Sequence, residues 1–178
     1  MVSLRGMKQI LLATAVMALV GCGKKGSAES QESSRKISTS TSWVSDSTDL
    51  NNVKIETAIR KTLAKTEGEL TKADLDKVKE LVITGQELTS LENLGKLTKL
   101  ERLNVFNNNL IDANGLEKLT QLQQVNLGIN LLSSVETLGK LKQLVILNLS
   151  NNPNLTRAQI AELQKALPNC RIGHSATK

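Results

Sequence analysis

The sequence predicts an α/β solenoid of about four stacked rows, closed by helices at both ends. Three observations carry this expectation. From residue 78 the chain can be written in rows that begin at Val78, Leu100, Leu122 and Leu144, a constant 22 residues apart. Within each row, apolar residues hold the fourth and sixth positions and a polar residue holds the ninth. With one Trp, one Phe and no Tyr, the core must be built from Leu, Val, Ile and Ala, which suits shallow layers that bury their apolar side only by stacking.

Residues 1–21 read as an export signal. Arg5 and Lys8 precede an apolar run, Ile10 to Val20, and Met7-Lys8-Gln9 alone supplies a sufficient charged start. The run is shorter than the roughly 20 residues needed to span a bilayer. Leu19-Val20-Gly21-Cys22 resembles the lipobox of bacterial lipoproteins. That resemblance implies diacylglyceryl transfer to the Cys22 sulfur, cleavage before Cys22, and attachment of the protein to the bacterial cell envelope through acyl chains. A thiol suits the transfer because its thiolate is a strong nucleophile. Gly23 stands where enteric lipoproteins retained in the inner membrane carry aspartate, which points to the outer membrane where a cell has two. Residues 22–50 are rich in Ser, Thr, Lys and Glu and read as a flexible tether, with Trp43 expected to contribute little.

Residues 51–77 read as a helical N-terminal cap. Val53 to Ala64 is amphipathic, with Ala58, Ile59, Thr62 and Leu63 facing inward, and Gly68 breaks it. Thr71 is placed to N-cap a second helix with Asp74 at the capping-box position, and Leu70 and Leu75 form its staple.

Residues 78–155 are the rows. Their fourth positions are Leu81, Leu103, Val125 and Leu147, and their sixth are Ile83, Val105, Leu127 and Leu149. This alternation puts both side chains on one face of a short strand. The ninth positions, Gln86, Asn108, Asn130 and Asn152, can satisfy backbone groups where the chain turns out of that strand. Apolar residues then recur every third residue, as at Leu91, Leu94 and Leu97, which suits an irregular or 3₁₀ return. Asn107-Asn108-Asn109 and the recurring glycines argue against a bundle of continuous helices. The pattern resembles the leucine-rich repeat, and its length resembles the bacterial internalin-like class. The resemblance covers about residues 53–172. It implies a right-handed superhelix with parallel strands on its concave face and the ninth residues in a hydrogen-bonded ladder, with Gln86 departing from Asn in the first row.

Residues 156–172 read as the C-terminal cap. Thr156 with Gln159 repeats the capping box, the helix runs to about Leu167 before Pro168, and Asn169 to Ile172 alternates as a closing strand. Cys170 is expected there as a small buried residue. Caps at both ends lead us to expect a closed solenoid, followed by a polar tail, 173–178.

Removing residues 1–21 takes away Arg5 and Lys8 and no acid, so the formal charge falls from +6 to +4. The lysines look scattered along the chain and aromatics for base stacking are nearly absent, which argues against nucleic-acid binding. The single His, His174, lies in the polar tail, and no zinc spacing, phosphate loop or nucleophile elbow is present. We therefore expect no enzyme, cofactor, metal site or small-molecule substrate. What remains is a surface for an unidentified protein partner. The resemblance places Val82, Arg102, Asn104, Phe106, Gln124, Asn126, Ile129, Ile146 and Asn148 on the concave face, with Phe106 either an exposed aromatic anchor at its centre or packed over a neighbour on an ordinary soluble strand surface. Two other readings stay open: a structural or peptidoglycan-associated envelope component, and an inhibitor of a secreted enzyme.

Overall fold

A computed structural model describes residues 42–177; Cys22, the export signal and most of the expected tether lie outside the described residues. Five parallel strands form one sheet in chain order: β1 (Glu80–Val82), β2 (Arg102–Asn104), β3 (Gln124–Asn126), β4 (Ile146–Asn148) and β5 (Arg171–Gly173). The register follows the repeat, with Leu81 beside Leu103, Leu103 beside Val125 and Val125 beside Leu147. Each of the first four strands buries only its middle residue. The chain returns through 3₁₀ turns at Glu92–Lys96, Leu116–Lys118 and Glu136–Lys140. Every third residue of these arms points inward, so Leu94, Leu116 and Leu138 stack in one column of the core.

The ninth-position asparagines hold the rows together. Asn108 donates from Nδ2 to the Ile83 carbonyl at 2.7 Å and to its own row's Val105 carbonyl at 2.9 Å. Its Oδ1 accepts the Gln86 and Leu88 amides, each at 3.0 Å. Asn130 repeats this with Val105, Leu127 and the Leu110 amide, and Asn152 with Leu127, Leu149 and the Leu132 amide. Each carboxamide therefore satisfies backbone groups in two rows at once. Gln86 is a correction to the expected ladder. Its side chain is exposed and, among the described residues, makes only a long bond to the Thr84 carbonyl. The physical reason is its place in the first row: a ladder residue donates backwards, and no row precedes this one.

Gly115 marks how closely the arms approach. At φ +95° it starts the second 3₁₀ turn, and a Cβ there would stand 2.5 Å from the Leu91 carbonyl oxygen.

The N-terminal cap begins earlier than the sequence suggested. Helix α1 spans Leu50–Leu63, with the Asp49 side chain accepting the Asn51 amide. Its buried residues are Asn52, Ile55 and Ile59, while Ala58 and Leu63 are half-buried and Thr62 is exposed. The tether boundary at residue 50 is likewise corrected. Trp43 is buried, its amide donates to the Leu70 carbonyl at 3.0 Å, and its indole Nε1 donates to Asn52 Oδ1 at 3.3 Å. Asn52 also binds the Asp46 amide and the Val44 carbonyl, so one buried amide pins residues 43–46 across the end of the core. A large indole supplies apolar area that the all-aliphatic rows lack, and its N–H finds a partner, as buried tryptophans require.

The short helix α2 (Lys72–Leu75) carries the full Thr71–Asp74 capping box, with Leu70 and Leu75 buried. Hydrogen bonds from Lys65 and then Thr71 hold the Asp74 carboxyl well below the usual carboxylate range. Helix α3 (Arg157–Ala166) carries the Thr156–Gln159 box and ends at Leu167, before Pro168. Strand β5 then closes the sheet against β4, and Cys170 is buried, its thiol pushed up by desolvation.

Two measurements test this account. Asn130→Ala should cost on the order of 3 kcal/mol in urea unfolding, because it orphans buried carbonyls and an amide, while Gln86→Ala should stay within about 0.5 kcal/mol. A depressed carboxylate stabilises the fold above its ordinary value and loses that contribution as pH falls below it. Stability should therefore decline below about pH 3.8, and Asp74→Asn should flatten that decline in an acid titration followed by circular dichroism.

Candidate functional site

The open face of the sheet carries the residues between the buried ones. At the third position stand Glu80, Arg102, Gln124 and Ile146, with Arg171 of β5 beside Ile146. Arg102 reaches Glu80 Oε2 with Nε at 3.0 Å and Nη2 at 2.8 Å. Both side chains are about half exposed, so this pair orients the two groups more than it stabilises the fold. Across β1–β4 the face forms a shallow depression of about 280 Å³ lined by Glu80, Arg102, Gln124, Ile146 and the fifth-position asparagines.

Those asparagines do more than face solvent. The Oδ1 atoms of Asn104, Asn126 and Asn148 accept the amides of Phe106, Gly128 and Ser150, two residues on in each case. Asn148 Nδ2 also donates to Asn126 Oδ1 at 2.9 Å. All three are half-buried. They form a second amide column that caps the strand ends, so their carbonyl oxygens are engaged within the fold.

Of the two readings of Phe106, the structure shows the packed one and not the exposed anchor. The residue is half-buried, and its ring leans over Gly128 of the next row: a Cβ on Gly128 would stand 3.2 Å from Phe106 Cδ2. The missing side chain of one row makes room for the ring of the row before it. The exposed apolar groups on this face are instead Val82, at 51% exposure, and Ile146, at 45%.

The eighth position carries a further feature. Gly85, Asn107, Ile129 and Asn151 all adopt left-handed backbone, with φ between 52° and 64°. Gly and Asn take this conformation readily, whereas a β-branched residue does so rarely and at a cost. Ile129 is nevertheless placed there, at φ 52°, with 39% of its surface exposed. Exposed Leu131 follows in the same row, and exposed Ile111 lies in the row before it. Sequence reasoning passed over these two. Their signal was a departure from their rows, since Asn109 stands where row three has Leu131, and Thr89 and Ser133 stand where row two has Ile111.

Among the described residues no group of three or more His, Cys, Asp or Glu is placed to hold a metal. His174 is exposed, and its Nδ1 accepts the Ala176 amide at 3.3 Å.

This geometry is that of a leucine-rich-repeat solenoid, and known structures share the fold. Internalin C2 of Listeria monocytogenes matches with a TM-score of 0.61 at 22% identity, over 70% of this chain and 56% of its own. A second Listeria internalin, InlF, matches with a TM-score of 0.53 at 20% identity, over 70% of this chain and 44% of its own. A leucine-rich-repeat protein of Leptospira interrogans matches at 0.51 and 29% identity, over 56% of this chain and 26% of its own. The chain thus spans roughly half the length of the listerial proteins it resembles. No protein-family model matches the sequence, and no curated protein is detectably similar to it.

If the backbone at residue 129 is strained by its side chain, Ile129→Asn should stabilise the protein by about 1 kcal/mol in urea unfolding, since Asn occupies the same position in two other rows.

Proposed function

We propose that this chain is a lipid-anchored protein-interaction module of the bacterial envelope, docking another protein on the open, concave face of its sheet. The observation that carries the reading is Ile129. Its position favours Gly or Asn, yet the chain bears the cost of a β-branched residue there and leaves it exposed. Local strain that packing does not require is a mark of functional placement. Ile129 stands on the rim of a face that also presents Ile146 and Val82. The asparagine columns hold these side chains on a rigid scaffold, so little ordering remains to be lost on binding. The Glu80–Arg102 pair supplies two oriented charges at one end of the same depression. Anchoring rests on the lipobox-like sequence ending in Cys22. Two or more acyl chains there give stable attachment where a single chain is marginal.

The test is a crosslinking pull-down from membranes, comparing the wild type with Ile146→Asp and Phe106→Asp, each checked by circular dichroism. We expect one prominent partner, lost with Ile146→Asp and weakened with Phe106→Asp, together with radiolabelled palmitate incorporation that Cys22→Ser abolishes. An unchanged partner set with the fold intact overturns the docking face. Co-purification with peptidoglycan that neither substitution disturbs redirects the reading to a structural envelope component.

A further inference from the structure

The lysines look scattered in the sequence, but the fold gathers five of them on one edge. Lys96, Lys118 and Lys140 each hold the nineteenth position of their row, so they succeed one another from row to row along the stack. Lys99 and Lys142 stand at the last positions of the same return arms. All five are exposed.

Their charges are not neutralised within the domain. Among the described residues, none of the five makes an ion pair. Lys96 donates to the Ser42 carbonyl at 2.7 Å and Lys142 to the Ala166 carbonyl at 2.9 Å, contacts that position an ammonium without cancelling it. The stem of Lys118 lies against Gly95 of the preceding row, its Cδ 3.0 Å from where a Cβ would stand. The stem covers the row while the charged head stays in water.

The acids of these arms fall earlier in each row. Glu92 and Glu136 hold the fifteenth position and Glu117 the eighteenth, with Glu117 Oε2 accepting the Gly115 amide at 2.7 Å. Glu101, at the start of the next row, pairs with Lys79. Charge therefore runs in one order along the three return arms, acid before lysine, and the repeat aligns the lysines into a cationic edge.

We propose that this edge is a second membrane contact, by which the solenoid lies against an anionic lipid surface. The side chains are all lysine, point charges without the planar fork that fits one oriented carboxylate or phosphate. Between them stand Thr98, Thr120, Gln121 and Gln143, which offer no aromatic, Arg or large apolar anchor of the kind protein interfaces rely on. A line of like point charges with no anchor matches a laterally fluid layer of anionic headgroups, which needs no fixed geometry. The edge lies on the return arms, so contact there leaves the sheet face free. The inference stands whether or not that face docks a protein. It also adds an electrostatic contact to the acyl anchor and orients the domain on the lipid surface.

The test uses the processed chain from residue 22 carrying Cys22→Ser, which lacks both the export signal and acyl attachment, and co-sedimentation with vesicles of phosphatidylcholine alone or mixed with phosphatidylglycerol. The test variant adds Lys96→Gln, Lys118→Gln and Lys140→Gln. A control of equal charge change adds Lys54→Gln, Lys61→Gln and Lys165→Gln, and circular dichroism checks both. We expect the preference for phosphatidylglycerol vesicles to fall on the order of a hundredfold in the test variant and little in the control. Salt at ~0.5 M should remove it from the parent. A preference that survives the triple substitution, or that the control loses equally, overturns the proposal. Capture on immobilised polyglutamate that exceeds capture by the anionic vesicles overturns it in favour of an acidic protein partner.

Discussion

Each row of this solenoid leaves its strand through a turn that lies inside the stack, where backbone amides and carbonyls cannot reach water. A buried peptide group without a partner costs enough that a repeat leaving several unpaired per row would not fold. The asparagine carboxamide answers this with two donors and an acceptor on a short side chain. Asn108, Asn130 and Asn152 each bond their own row and the one before it. The sheet register, the stacking of the leucine columns and the common geometry of the open face all depend on that pairing.

The turn is the same in every row, with left-handed backbone at the residue before the ninth position. Three rows meet this with Gly or Asn and one with Ile129. The same regularity converts sequence position into spatial alignment, so a residue type repeated at one position becomes a stripe. The fifth position becomes a second amide column, the eighth and tenth a rim of mixed apolar and polar groups, and the nineteenth a line of lysines. The two ends are finished differently. A capping box and a closing strand seal one end, while α1 and the buried Trp43 seal the other, where no preceding row offers its carbonyls.

Much of this was legible in advance. A period of 22 with fixed apolar positions specifies the rows, because an all-aliphatic row can bury itself only against its neighbours. Both capping boxes could be read because the motif is local, requiring only residues three apart. Trp43 could not be read the same way. Its surroundings are polar, and its burial depends on Asn52 and Leu70, nine and twenty-seven residues away. Phe106 was placed on the strand face with its exposure left open, since the space that receives it is the absent side chain of Gly128 in another row. Fifth-position asparagines looked like solvent-facing recognition groups until their bonds to the strand-end amides were seen.

By itself, then, the sequence determined the repeat, its register, the capping of its helices and the core residues of the rows, because each follows from periodicity or from contacts within a few residues. Tertiary structure alone decided which surface groups are free. Only the stacked rows show that Arg102 is engaged by Glu80 and Phe106 by the space over Gly128, while Ile129 and the lysine edge are left facing outward. The reason is that exposure and charge pairing depend on neighbours about one full row away along the chain.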